Sequence, residues 1–240
     1  MEPTVFLDGP QLLNQLCILS WNINGVKTKL EKKIVQDLLC KYDVICLNEV
    51  KTPLEVYFPG YVAYKSAVRG SNQRGGTVLL IRNMLASLIA SVNVRIEDQI
   101  WIKFRYAPTV LFGFCYMPPT DSQYYSHYSF SSIQEQLMTD ANSKAFCVVG
   151  DLNTRFGTLV RELSERVKLA DGTNYSYPYL PDDVRVPNDN ALILSNVCVE
   201  TGMVLVNNLK TPTKHFFSDK TYKKGGEWVS ELDTCTISSN

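Results

Sequence analysis

Four short apolar runs in this chain end in the same manner, and that shared ending constrains the fold more than any other feature. Cys147-Val148-Val149-Gly150 passes straight into Asp151-Leu152-Asn153-Thr154. In the same way Cys17-Ile18-Leu19-Ser20 leads to Trp21-Asn22-Ile23-Asn24-Gly25, Val44-Ile45-Cys46-Leu47 to Asn48-Glu49, and Val110-Leu111-Phe112-Gly113-Phe114-Cys115 to Tyr116-Met117-Pro118-Pro119. Runs of this length and composition, closed by turn residues, read as strands. Asp and Asn are ordinary turn residues and Gly supplies unusual φ, so one such ending alone is equally well a turn. Four of them deliver carboxylates, carboxamides and a phenol from one edge, a donor set suited to a metal ion and a phosphate.

The surrounding pattern points to a layered α/β protein. After the first strand, Leu16 to Ser20, the stretch Lys27 to Lys41 repeats apolar residues at Leu30, Ile34, Val35, Leu38 and Leu39, which predicts a helix with a lysine-rich outer face. Strand, helix and the strand ending at Glu49 make a βαβ-like unit. Thr77 to Ile81, Val92 to Ile96, Ile100 to Tyr106 and Val110 to Tyr116 read as further strands with short, antiparallel links. Gly75-Gly76 before the first of these reads as a turn or as a close approach to phosphate. Helices are expected over Tyr124 to Met138 and over Asn190 to Thr201, the latter closed by Gly202 and followed by a strand from Met203 to Val206. His215 to Ser218 and Glu227 to Ser238 alternate like two strands of a hairpin around Lys223-Lys224-Gly225-Gly226. No internal repeat or linker stands out, so residues 1–240 are expected to form one domain, with 1–15 as an N-terminal extension.

Composition excludes several classes. A hydrophobic fraction of 45% with 20% charged residues over 240 residues is that of a globular chain able to bury a sizeable core. Lys+Arg and Asp+Glu are both 24, so any contact with nucleic acid must rest on a local patch. The 7 cysteines form no CxxC pair and several lie inside apolar runs, which predicts buried thiols in a reducing, intracellular setting. No run of 18 apolar residues suggests a membrane span, and residues 1–15 lack the pattern of a secretion signal.

Taken in order, Trp21-Asn22-Ile23-Asn24-Gly25, Leu47-Asn48-Glu49-Val50-Lys51, Arg74-Gly75-Gly76, Tyr116-Met117-Pro118-Pro119, Gly150-Asp151-Leu152-Asn153-Thr154 and Ser230-Glu231-Leu232-Asp233 resemble the motifs of the endonuclease/exonuclease/phosphatase superfamily. The Tyr-x-Pro-Pro wording, the Arg-Gly-Gly before a strand and Gly202-Met203-Val204-Leu205-Val206-Asn207-Asn208 resemble its branch in LINE-type (non-LTR) retrotransposons, cousins of the apurinic/apyrimidinic endonucleases. The resemblance runs from about Ile18 to Ser238. It implies a four-layered α/β sandwich, two mixed sheets packed face to face with outer helices. It further implies Mg²⁺-dependent (or Mn²⁺-dependent) hydrolysis of a DNA phosphodiester, with a reverse transcriptase domain downstream in the full-length protein.

By position, the resemblance makes Glu49 the main metal-binding carboxylate and Asn22 its helper, a sparse oxygen set that suits a hard cation keeping several waters. Tyr116 matches the tyrosine that hydrogen-bonds the reacting phosphate, Asp151 the carboxylate that orients or deprotonates the attacking water, and Asn153 the amide donor to the transferring phosphate. Asp233 matches the acid that orients a histidine, and Asn24, Arg155 and Ser230 are candidate substrate contacts. The chain departs from the family in one respect: the histidine belongs to a Ser-Asp-His motif on a further strand, and residues 1–240 contain no such motif. His127 and His215 match nothing in the family. These residues are therefore expected to form an incomplete domain, weakly active or inactive. Glu49-Val50-Lys51 also stands where Glu-Thr is more usual, with Asn48 in place of Gln.

Two other functions fit the same residues. Phosphomonoesterases and phospholipases of the superfamily share the Asn, Glu and Gly-Asp-x-Asn pieces. A non-catalytic DNA- or protein-binding domain would instead rely on a basic patch such as Lys210, Lys214, Lys220, Lys223 and Lys224.

Overall fold

The computed structural model describes residues 16–67, 75–126, 128–140, 145–157, 159, 186–205, 222–224, 227–230 and 233–238. In chain order these form β1 (Ile18–Asn22), α1 (Lys33–Leu39), β2 (Val44–Asn48), β3 (Tyr61–Lys65), β4 (Val78–Arg82), α2 (Asn83–Ala86), β5 (Ile89–Asn93) and β6 (Gln99–Phe104). There follow β7 (Ala107–Tyr116), α3 (Tyr128–Thr139), β8 (Ala145–Asp151), α4 (Asp189–Thr201), β9 (Met203–Leu205), β10 (Tyr222–Lys224), β11 (Glu227–Ser230) and β12 (Asp233–Ser238).

Two mixed sheets result. The first has the order β1-β2-β4-β3, with β1 parallel to β2 and the other pairs antiparallel. The second has the order β5-β6-β7-β8-β12-β9, with β7 and β8 parallel and the remaining neighbours antiparallel. β10 and β11 pair as a separate antiparallel ribbon.

The alternation of side chains along each strand sorts the core into three seams. Val44, Cys46, Leu79 and Ile81 of the first sheet meet Ile100, Ile102, Phe104 and Phe114 of the second between the sheets. The intervening residues Ile45, Leu47, Val78 and Leu80 face outward and are covered by Leu39 and Val35 of α1. On the far side Trp101, Leu111, Cys115 and Val148 are covered by Phe130, Ile133 and Leu137 of α3 and by Leu194, Val197 and Cys198 of α4. The layers are thus helix, sheet, sheet, helix, the four-layered sandwich that the resemblance implies.

The same alternation places the polar strand endings. The inward rows read Ile18, Ser20, Asn22 on β1 and Val44, Cys46, Asn48 on β2. Across the gap they read Phe112, Phe114, Tyr116 on β7 and Cys147, Val149, Asp151 on β8. The parallel registers set Asn22 opposite Asn48 and Tyr116 opposite Asp151. Each inward row is apolar in the middle of the sandwich and polar at one end.

Several expected boundaries shift for local reasons. The helix expected over Lys27 to Lys41 is confined to Lys33–Leu39. Before it the chain makes separate turns, Lys29 N to Val26 O at 3.1 Å and Lys32 N to Lys29 O at 3.1 Å. The strand expected over Val92 to Ile96 lies earlier, at Ile89–Asn93, because the Asn93 side chain accepts from Arg95 N at 3.0 Å and closes the strand with an Asx turn. α3 starts at Tyr128 rather than Tyr124, where Ser126 Oγ accepts from Tyr128 N at 3.3 Å. β3 and α2 were not expected. α4 closes as anticipated at Gly202, whose φ is 69°.

The C-terminal hairpin is a larger correction. Lys223 and Lys224 are strand residues paired with Trp228 and Glu227, and β11 and β12 are separate strands in different sheets. β12 runs antiparallel to β8, between it and β9, with Asp233 opposite Asp151 and Ile237 opposite Cys147. His215 to Ser218, Arg74, His127, Lys210, Lys214 and Lys220 lie outside the described residues.

Close approach of β7 and β8 depends on Gly150. A Cβ at this position would stand 1.7 Å from the Cys115 backbone carbonyl oxygen. Because the obstacle is backbone, no rotamer change relieves it. Gly150→Ala is expected to cost about 3 kcal/mol or more, read as a lower urea midpoint with little change in slope; a midpoint matching the parent would refute the tight strand contact.

Candidate functional site

At the polar end of the two inward rows, one carboxamide joins the sheets. Asn22 Nδ2 donates to Glu49 Oε1 at 2.9 Å and to Asp151 Oδ2 at 2.8 Å, while Asn22 Oδ1 accepts from Asn24 N at 3.1 Å. Tyr116 OH donates to the same Glu49 oxygen at 2.8 Å. The other oxygen, Glu49 Oε2, is 2.7 Å from the ammonium of Lys51, which also donates to Asn24 Oδ1 at 2.5 Å. Asn22, Asn24, Glu49, Tyr116 and Asp151, all candidates in the sequence, form one network.

These contacts set the protonation of the two central groups. Burial pushes the Glu49 carboxyl up, but hydrogen bonds from Lys51, Asn22 and Tyr116 outweigh it and hold the group below its ordinary value of 4.5. Tyr116 moves the other way, raised far above the ordinary 10.0 by burial first and then by the Glu49 charge and hydrogen bond. The site therefore holds a charged carboxylate beside a phenol that stays protonated.

The backbone around the carboxylate is strained and pinned. Asn24, Glu49, Lys51 and Asn153 have φ of 44°, 53°, 50° and 48°, a left-handed region that non-glycine residues enter at a cost of order 1 kcal/mol each. Holding them are Gly25 N to Glu49 O at 2.7 Å, Val26 N to Val50 O at 3.0 Å, Val50 N to Gly76 O at 3.1 Å and Lys51 N to Gly75 O at 3.0 Å. Gly75 and Gly76, with φ of 93° and 85°, thus act here as a backbone clamp on the Glu49 segment. Lys29 fastens the neighbouring turn through its ammonium on the Ile23 and Asn24 carbonyls.

On the second sheet Asp151 Oδ1 accepts from Asn153 N at 3.2 Å, and Asn153 Nδ2 donates to Met117 O at 2.7 Å. Two asparagines that sequence reasoning missed support this loop. Asn188 Nδ2 donates to Asn153 O at 2.8 Å, and Asn188 Oδ1 accepts from Arg155 N at 2.9 Å and from Ala191 N at 3.0 Å, capping α4. Asn190, fully buried, places its Nδ2 3.1 Å from both Pro118 O and Leu152 O, and so ties the loop after β7 to the loop after β8. Their signal was available: Asn188-Asp189-Asn190 follows a proline at the start of a helical run, and a capping Asn needs only one of the two.

Arg155 joins the network through its backbone; its side-chain Nε is buried and has no hydrogen-bond partner among the described residues. The backbone of Asp233 pairs with Asp151 and Ser230 ends β11, while the side chains of both lie outside the description. Asn48 turns to Thr77 and Ser20, and Val50 is buried in the core beside α1, so neither substitution in the Glu49 motif touches the carboxylate. No histidine is among the described residues.

The donor set can be tested against a metal. No group of three or more His, Cys, Asp or Glu residues converges among the described residues, which argues against a closed site for a soft ion. Two carboxylates flanked by carboxamides, one of them held in its charged form, fit a hard divalent cation that retains much of its water. Glu49 would be its principal ligand.

Residues 19–182 match the endonuclease/exonuclease/phosphatase family, and the chain belongs to that family of phosphoester hydrolases. It is 32% identical over 147 residues to a probable RNA-directed DNA polymerase from transposon X-element of Drosophila melanogaster, an alignment covering 58% of this chain and 15% of that protein. The resemblance to the retrotransposon branch is thereby borne out. Among solved structures the fold is similar to a 3′ phosphatase from Neisseria bound to a product DNA hairpin, with a TM-score of 0.62 at 15% identity, covering 93% of this chain and 87% of that one. It is equally similar to an AP endonuclease from Leishmania major, with a TM-score of 0.62 at 15% identity over 93% and 79% of the two chains.

Two measurements probe this geometry. Because the fold favours the neutral phenol of Tyr116, its contribution to stability is complete below pH 10.0 and is lost as pH rises toward the higher folded-state value. The phenolate absorbance lost in Tyr116→Phe is expected to develop above the range of the other tyrosines; development near pH 10 would contradict the burial of the phenol beside the Glu49 carboxylate. Replacing Asn190 by Leu strands buried carbonyls on two loops and is expected to cost about 2 kcal/mol in denaturant unfolding.

Proposed function

We propose that the domain is a Mg²⁺-dependent DNA endonuclease that nicks target DNA for a retrotransposon, with a reverse transcriptase supplied by the same longer protein and in an intracellular setting. The observation that carries this reading is the network in which the Asn22 carboxamide joins Glu49 to Asp151 across the two sheets and Tyr116 donates to the same Glu49 oxygen, at the end where every inward strand row turns polar. The transposon relative supports the biological setting. The divalent metal that the resemblance implies agrees with the oxygen donors present.

Each residue has a task that its contacts prepare. Tyr116 and Asn22 occupy Glu49 Oε1 and fix the carboxylate, while Oε2 meets only the ammonium of the partly exposed Lys51 side chain among the described residues. A divalent cation bound there would offset the charge that grows on the phosphate oxygens during hydrolysis. Asp151, held by Asn22 and Asn153, is the acceptor that aligns a water for in-line attack. Asn153, its amide held on Met117 O and its carbonyl by Asn188, follows Asp151 in the same loop and is the candidate amide donor to the transferring phosphate.

Residues 1–240 carry no Ser-Asp-His motif, so by themselves they are expected to nick slowly, about 10²–10⁴-fold below a chain that has a general acid or charge-stabilising histidine. The test is conversion of supercoiled plasmid to open circles. Nicking should require Mg²⁺, vanish in Glu49→Gln and fall about 10²–10⁴-fold in Asp151→Asn. Equal rates for Glu49→Gln and the parent would overturn the assignment. Turnover of a soluble phosphomonoester with none of DNA would place the chain among the superfamily's phosphatases instead.

A further inference from the structure

We propose that Lys51 is the resident counter-ion of Glu49, and that a divalent cation taken up by Glu49 displaces the Lys51 ammonium and frees it to bind a phosphate group of the substrate. This inference rests on the reading of Glu49 as the carboxylate that takes the metal.

The two oxygens of Glu49 are unlike. Oε1 is fixed by Asn22 and Tyr116, both anchored in strands. Oε2 meets the tip of a flexible four-carbon stem, the Lys51 ammonium at 2.7 Å, whose side chain is 42% exposed against 20% for Glu49. Two cations cannot both sit on one carboxylate oxygen without strong repulsion, so metal and ammonium compete for it.

The backbone directs where the competition is resolved. Glu49 and Lys51 both have left-handed φ, and the carbonyls of Gly75 and Gly76 together with the amides of Gly25 and Val26 pin residues 49–51 from two sides. The segment therefore stays in place and the lysine stem moves alone. Its second partner, Asn24 Oδ1 at 2.5 Å, keeps the ammonium at the site when Oε2 is taken. Held at Asn24, the ammonium would be available to a substrate phosphate, which lysine binds as a point charge. A chain whose positive and negative residues balance at 24 each gains a phosphate contact in this way only when the metal is present.

The test uses the whole chain without catalysis. Mn²⁺ is titrated into the parent, Lys51→Met, Lys51→Arg and Glu49→Gln, with free aquo-ion followed by electron paramagnetic resonance. Removing a half-exposed competing charge should tighten Mn²⁺ binding about 2- to 5-fold in Lys51→Met. Lys51→Arg should bind no tighter than the parent, and Glu49→Gln should lose the site. If Lys51→Met and the parent bind equally while Glu49→Gln does not bind, the displacement is refuted and the metal reading stands. If Glu49→Gln binds like the parent, both fall.

The second arm measures anisotropy of a labelled DNA duplex across a salt series. In EDTA the parent and Lys51→Met should bind alike. In Ca²⁺ the parent should bind more tightly, with a log–log salt slope steeper by about 0.9, one phosphate contact. Identical slopes in Ca²⁺ would show that the displaced ammonium does not reach a phosphate and would overturn that half of the proposal.

Discussion

The candidate site depends on a single amide placed between two carboxyl groups. Glu49 follows a strand of one sheet and Asp151 ends a strand of the other, and face-to-face packing brings them to the same nitrogen of Asn22. Carboxylates this near one another repel, and burial raises the cost of keeping either charged. Asn22 supplies a donor to both, Tyr116 adds a second to Glu49, and Lys51 adds a positive charge. The sandwich is thus locked at its polar end by hydrogen bonds and in its middle by the apolar seam between Val44, Cys46, Phe114 and Ile100.

This arrangement explains why the strained residues cluster. Four of the five non-glycine residues of positive φ among the described residues are Asn24, Glu49, Lys51 and Asn153, all in or beside the network. A strand can deliver a side chain to the inward row only at every second residue, yet Glu49 is one residue past Asn48, which already faces inward. The left-handed turn at Glu49 redirects the chain so that two successive residues both serve the interior end. Its cost is met by the amides and carbonyls of the flanking loops, which pair with residues 49–51 as though the sheet continued.

Much of this was legible in the sequence, and for a physical reason. Asn22, Glu49, Tyr116 and Asp151 sit at the ends of strongly apolar runs, where the period-two pattern of a buried strand stops at a polar residue. The strand endings therefore singled out the residues that the fold joins in one network. What was not legible came from contacts distant in sequence. Asn190 joins carbonyls 72 and 38 residues away and sits in an ordinary helical pattern. β12 pairs with β8 rather than closing a hairpin with its neighbour, and no local feature of Asp233 to Ser238 specifies that partner. Boundaries moved where a side chain captured the backbone, as Asn93 and Ser126 do.

Lys51 shows how far a local reading can carry and where it stops. In the sequence it is the residue after a buried Val50, one lysine in a chain with no net charge, and a solvated surface position would satisfy every propensity. The fold gives it a different setting, because the left-handed backbone at Glu49 and Lys51 brings the Lys51 ammonium onto the Glu49 carboxylate. Carboxylate and ammonium two residues apart on a straight strand would share a face in extended backbone; here they share an oxygen because the backbone turns beneath them. The geometry that makes Glu49 available to a cation thus also supplies one from within the chain. A divalent cation taken up by Glu49, as proposed, would meet that internal cation first.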